Sequence, residues 1–381
     1  MNYFDYAATT PPYEEVIVTI AEVMAQHYGN PSSLHRLGEQ SEMLVKRARE
    51  ACSSILHVKP SELVFTSGAT ESNNLAIKGL AFQYQQRGRH LITTMVEHPS
   101  VYECMKQLES WGWEVTYLTP DQTGRISARQ VEDALRDDTV LVSIMHVNHE
   151  VGSIQPIEEI GAMLKHKRRK PFFHVDGVQG FGKVPLLLPS SEIDLYSLSA
   201  HKWRGPKGIG LLYVRQGVQL APLLSGGGQE GDVRSGTENV PLIIGMAQAM
   251  RLTAQGQAQR VKILEKLKGQ LEAALTAMPE VQLNSSADGA PHIVHFSCEG
   301  IKAETLLHKL EEQGFYVSSQ SACSSKQIEP SRVLLQMGKS KAQAISGIRI
   351  SLNEAHTTEQ VHDLIEAISK SIQFLIPFKQ K

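Results

Sequence analysis

A lysine sits between a hydroxyl-rich strand end and a glycine-proline turn in Ser197-Leu198-Ser199-Ala200-His201-Lys202-Trp203-Arg204-Gly205-Pro206-Lys207-Gly208. Glycine permits close backbone approach, and Ser199 and His201 add hydrogen-bonding groups. Lys202 is therefore placed to meet anionic groups and a planar ring, and to carry a cofactor as a Schiff base. An exposed turn lysine has the same local sequence, so its company must decide. The second candidate is Cys323, in Val317-Ser318-Ser319-Gln320-Ser321-Ala322-Cys323-Ser324-Ser325-Lys326-Gln327. Small hydroxyl residues give this thiol little apolar cover and Lys326 stands nearby, which suits a nucleophile. Cys52, Cys104 and Cys298 lie in or beside apolar segments and read as packing residues.

Three further stretches carry usable polar groups. Glu62-Leu63-Val64-Phe65-Thr66 reads as a strand running into Ser67-Gly68-Ala69-Thr70-Glu71 and a helix. That order of strand, glycine turn and helix start can bind an anion through free amides and the Thr70 hydroxyl, or simply cap its own helix. Asp176 closes the apolar strand Phe172-Phe173-His174-Val175-Asp176. A carboxylate there is costly to bury unless it meets a cation, and a protonated ring nitrogen would serve. The glycine-dense stretch 224–239 contains Arg234, Ser235 and Thr237, a composition that fits either an anion site or a flexible linker.

These side chains need a scaffold. Helical periodicity predicts helices over about 14–26 and 37–56, and strands near 62–66, 90–93, 114–118, 140–144, 172–176, 195–199 and 209–214, mostly separated by helical stretches. Such alternation implies an α/β fold with a mainly parallel sheet covered on both faces and ligands outside the carboxyl ends of the strands. By that rule His98, His149, Asp176 and Lys202, each at or after a strand, could meet over one sheet edge. Beyond a polar helical region at 257–278 the pattern changes to a smaller α+β unit, with strands near 293–297 and 315–317 and a last helix whose Thr357 and Gln360 have capping-box spacing. The expected division is 15–255 as a large domain, with 1–14 and 256–381 forming a small one that carries the Cys323 loop.

The 381 residues have a formal net charge of −2, which argues against nucleic-acid or membrane-surface binding as the main role. No apolar run is long enough to span a bilayer and the first residues lack a secretory pattern, so a cytoplasmic protein is expected. Four scattered cysteines indicate neither a disulfide framework nor a metal site. The basic run Lys165-His166-Lys167-Arg168-Arg169-Lys170 ends a predicted helix, where cations meet the dipole favourably.

Taken together, Thr66-Ser67-Gly68-Ala69-Thr70-Glu71-Ser72-Asn73-Asn74, Glu97-His98, His174-Val175-Asp176-Gly177-Val178-Gln179, Ser199-Ala200-His201-Lys202, Arg234-Ser235-Gly236-Thr237 and Ser321-Ala322-Cys323 occur in the order typical of one family. The chain resembles the cysteine desulfurases of the NifS/IscS type, fold-type-I pyridoxal-phosphate enzymes, from Asp5-Tyr6-Ala7-Ala8-Thr9-Thr10-Pro11 to Ile348-Arg349-Ile350-Ser351. The resemblance implies a homodimer that binds pyridoxal 5'-phosphate and converts L-cysteine to L-alanine. Sulfur would pass to an acceptor protein such as an iron–sulfur scaffold or a thiolation enzyme.

It also implies roles for single residues. Lys202 would hold the cofactor and move the substrate's Cα proton, Asp176 would pair with the ring nitrogen, and His98 would stack on the ring. Gln179 would bond the ring oxygen. Ala69, Thr70, Ser199 and His201 would surround the phosphate, with Thr237 reaching in from a second subunit. Arg349 would clamp the substrate carboxylate, and Cys323 would take the sulfur as a persulfide. The sequence departs from the family where His149 replaces an asparagine expected to contact the ring oxygen; imidazole can still donate there, with a different size and pKa. A selenocysteine lyase or cysteine sulfinate desulfinase would share Lys202 and Asp176, and a sulfur-relay module without catalysis is the non-enzyme alternative.

Overall fold

The computed structural model describes residues 2–319 and 329–378. A two-residue strand, β1 (Asn2–Tyr3), opens the chain. Among the described residues, seven strands then build the main sheet: β2 (Leu63–Thr66), β3 (His90–Thr94), β4 (Glu114–Leu118), β5 (Thr139–Met145), β6 (Phe172–Asp176), β7 (Leu195–Ser199) and β8 (Gly210–Val214), in the order β2-β8-β7-β6-β5-β3-β4. β4, β3, β5, β6 and β7 pair in parallel, whereas β8 runs antiparallel to both β7 and β2. The predicted mainly parallel sheet is thus present. The antiparallel β8 follows from its short connection to β7, the segment 200–209 that contains Lys202.

The strands read as apolar runs because both faces are covered. Every residue of β5 is buried, and neighbours such as Leu91 and Ile92, Leu141 and Val142, or Leu211 and Leu212 fall alternately into two apolar clusters on opposite faces. The first cluster receives the amphipathic helix Arg36–Leu56, with Cys52 fully buried in it. It also receives a helix that the periodicity did not reveal, Val240–Gln255, which lies against both N-terminal helices. Small residues made that helix hard to read; a Cβ on Gly245 would stand 2.6 Å from Ile20 atoms, so close packing requires glycine there.

A separate core gathers the helices Gln257–Thr276 and Thr358–Leu375 around a small sheet of β9 (Gln282–Leu283), β10 (Ile293–Ser297) and β12 (Gly347–Ser351), with β11 (Phe315–Tyr316) pairing with β1. Phe4 is part of this core although it lies at the other end of the chain. The capping box at Thr357 and Gln360 forms as the spacing predicts. The three lysines of the basic run form ion pairs: Lys165 and Lys170 meet Glu192, and Lys167 meets Glu132. No helix among the described residues is long and apolar enough to cross a membrane.

The carboxyl ends of β2, β3, β5, β6 and β7 open on one side, with β3 and β5 flanking the point where the strand order reverses. Gly210 marks how tightly this edge is built. A Cβ there would lie 2.6 Å from the Gly68 Cα and 2.8 Å from the Leu198 carbonyl oxygen. Gly210→Ala is expected to cost about 1–3 kcal/mol through overpacking, read as a lower urea midpoint with little change in slope.

Candidate active site

The strand ends enclose a cavity of about 530 Å³, a size usual for cofactor sites. Ala69, Thr70, His98, His149, Asp176, Gln179, Ser199, His201, Lys202 and Arg349 all line it. Thr237 does not; it is exposed on the surface of its own chain. Cys323 lies outside the described residues.

Lys202 enters from the turn after β7. Its Nζ donates to the carbonyl oxygens of Ala7 at 2.7 Å and Ala8 at 2.8 Å, so the N-terminal segment orients the amine. The hydroxyls of Thr9 and Thr10 also turn inward: Thr10 Oγ1 donates to the His201 carbonyl oxygen and accepts from the Arg204 amide, and Thr9 meets His201 Nδ1. Gln179 donates from Nε2 to the Ala7 carbonyl oxygen, while its own oxygen faces Lys183 and His292.

Asp176 is buried at the end of β6 and accepts from the Asn73 side-chain amide at 2.9 Å and from the Val178 backbone amide. Burial raises its carboxyl from the ordinary value, and these donors together with Lys202 oppose the rise. The same Asn73 amide donates to Ser100 Oγ, which in turn bonds His98 Nδ1 at 2.8 Å. The Ser100 backbone amide donates to that nitrogen too, so Nδ1 is an acceptor. Asp176 and His98 are therefore the ends of one polar chain through Asn73 and Ser100, two residues to which sequence reading gave no role. Asn73 stood within a quoted motif, but only the fold brings it under β6.

His98 caps the helix Pro99–Ser110 after β3, and His149 follows β5; their rings meet edge to face at 5.1 Å. Burial first, then the nearby Lys202, Arg332 and Arg349 cations, lower the His98 pKa to about 3. Burial and then His98 hold His149 well below the ordinary value as well. Both rings are neutral near pH 7, so His149 differs from an asparagine there by shape and hydrogen bonding rather than by charge. Its Nδ1 is buried without a partner among the described residues, as is Nε of Arg349.

The lining suits pyridoxal phosphate: an amine, a carboxylate for a ring nitrogen, and hydroxyls beside a glycine-led helix start. Gly68 opens the helix Ala69–Asn74 at φ +152°, where a side chain would be strained, and the space a Cβ would enter borders the Ser199 hydroxyl. The helix continues through a π turn over Leu75–Gly79, a feature frequent beside functional sites. His149 and Arg349 both line the cavity, and each has a buried nitrogen with no partner among the described residues that a bound molecule could satisfy.

Fold and site define a pyridoxal-phosphate-dependent enzyme, and the class-V aminotransferase family profile matches residues 2–364. A cysteine desulfurase IscS of Methanosarcina thermophila is 41% identical over 98% of the chain and 92% of its own length. A NifS/IcsS protein homolog of Lactobacillus delbrueckii subsp. bulgaricus is 42% identical, covering 98% and 97%. A solved NifS-like protein superposes with a TM-score of 0.93 at 38% identity, over 98% of this chain and all of that one. The chain belongs to the cysteine desulfurase family, and it is a pyridoxal-phosphate-dependent enzyme acting on L-cysteine.

Glu97, one residue before His98, offers a test of the buried electrostatics. It is fully buried, accepts from Thr94 Oγ1 and the Met145 amide, and burial pushes its carboxyl up to about 8. The folded protein therefore keeps a proton that the unfolded chain loses near pH 4.5. Stability should fall as pH rises from about 5 to 8, by at most about 1.4 kcal/mol per unit from this group. Glu97→Gln should flatten that slope in urea titrations across the range; an unchanged slope would refute the assignment.

Proposed function

We propose that Cys323 takes the sulfur of L-cysteine as a persulfide and hands it to an acceptor protein, an iron–sulfur scaffold or a thiolation enzyme, while L-alanine is released. The observation that carries this reading is the convergence of Lys202, Asp176, His98 and Arg349 on one cavity from separate parts of the fold. Pyridoxal phosphate, when bound, supplies the electron sink that makes the substrate's Cα–H and Cβ–S bonds breakable.

The chain's own groups do the rest. Lys202 is the proposed attachment point and its Nζ moves the Cα proton. Asp176 stays ionised and holds the proton of the ring nitrogen. Ala69, Thr70, Ser199 and His201 take the phosphate, and Gln179 and His149 meet the ring oxygen. Arg349 binds the substrate carboxylate, and neutral His98, whose Nδ1 accepts from Ser100, carries its proton on Nε2 and can donate from there. The Cys323 sulfur attacks the substrate sulfur. A sulfur–sulfur bond forms as the substrate's carbon–sulfur bond breaks, and a proton returned to the three-carbon fragment completes L-alanine.

Thr237 is proposed to serve the cavity of a second copy in a homodimer. Its exposure away from its own cavity supports this, as do the exposed apolar side chains Ile17, Val18, Met24 and Met43 on the two N-terminal helices. The packing of Phe4 with the C-terminal core supports the division into 15–255 and 1–14 plus 256–381. A cytoplasmic setting fits Cys52 and Cys104, both buried thiols.

Mass spectrometry after addition of L-cysteine tests the reading. A gain of about 32 Da, one sulfur atom, is expected on the peptide that contains Cys323, and none in Lys202→Ala. L-alanine formation by Cys323→Ala at the wild-type rate would sink the mechanism.

A further inference from the structure

Arg349, on β12, is 1% exposed and among the largest fully buried side chains of the described residues. Its Nη1 donates to the His149 carbonyl oxygen at 2.7 Å, its Nη2 donates to Asp5 Oδ1 at 2.8 Å, and its Nε is buried with no partner. A guanidinium is best satisfied by a carboxylate that presents both oxygens to two donors. Asp5 reaches it with one oxygen only, and a donor is left unused. Arg349 lines the cavity, whereas Asp5 stands behind it and is not part of the lining.

The Asp5 backbone is fixed independently. It bridges Ser351 of β12, and the Tyr3 hydroxyl donates to its carbonyl oxygen. The carboxylate is therefore built into this position rather than resting there by chance. Burial raises its pKa, and the Arg349 and Lys202 cations oppose the rise.

We propose that Asp5 is an internal stand-in for the substrate carboxylate: it holds and neutralises Arg349 between turnovers and, by its charge, weakens the grip of Arg349 on any incoming carboxylate. This rests on the reading that Arg349 receives the substrate carboxylate. A buried guanidinium without a counter-charge is costly, so some anion must stay with it. Substrate and product carry the same carboxylate. An unopposed Arg349 would therefore retain L-alanine as firmly as it captures L-cysteine. Asp5 thus acts as a positioning residue that sets affinity rather than as a group that touches the reacting atoms.

The test uses the cofactor-loaded enzyme and propionate, a three-carbon carboxylate with no amine or thiol, titrated by ligand-observed NMR, together with the KM for L-cysteine. Asp5→Asn keeps an acceptor oxygen and removes the charge. Propionate Kd and KM should each fall about three- to tenfold, with a smaller change in kcat. Asp5→Ser also removes the charge and is expected to shift affinity the same way, so the test does not depend on one variant folding. Affinity that is unchanged or weaker in the uncharged variants overturns the proposal. Arg349→Gln separates the two levels: undiminished propionate binding in that variant would overturn the role of Arg349 itself, whereas lost binding leaves the Asp5 result to be judged alone.

Discussion

The site depends on hydrogen bonds donated to the N-terminal segment, above all those from Lys202 Nζ to the carbonyl oxygens of Ala7 and Ala8. An ammonium in a half-enclosed pocket needs acceptors, and two adjacent carbonyls from a fixed strap supply them without adding a charge. The strap is fixed because it is tied on both sides. Phe4 is sunk in the C-terminal core, the Ala7 amide donates to Ser351 Oγ, and Thr10 is bound to the Lys202 turn. Ala7 also accepts from Gln179, so one short segment spaces the lysine, the glutamine and, through Asp5, the arginine.

Around that strap the charges of the site are set by burial and by close neighbours. His98 and His149 are kept neutral by burial, and the charged side chains that line the cavity are Asp176, Glu71, Lys202, Lys207 and Arg349. The Asn73–Ser100 bridge links the Asp176 carboxylate to the His98 ring through neutral groups only. Proton positions at the two ends are therefore coupled without a second charge having to be buried.

Much of this was legible in the chain. β4, β6 and β7 have the predicted limits, because buried apolar runs bounded by polar turns leave little ambiguity. The residues at strand ends were legible too, since the fold class says where ligands go. What local sequence could not carry was distance along the chain. The roles of Thr9, Thr10 and Asp5 require knowing that an N-terminal segment crosses the Lys202 turn and β12. The helix Val240–Gln255 escaped for a different reason: its buried face is partly made of Gly245, Ala247 and Ala249, which leave a weak apolar stripe while allowing close approach.

The pairing of Asp5 with Arg349 spans 344 residues of sequence. Lys202 and Asp176 come earlier in the chain, within one sheet whose strands pair mainly with near neighbours. During synthesis, then, the strands that carry the ammonium and the carboxylate emerge well before the arginine does. Until β12 pairs with β10, the strap lacks its tie to Ser351 and Asp5 lacks its guanidinium partner. A chain truncated before β12 would lack both the arginine and the Ser351 hydroxyl that ties the strap over Lys202.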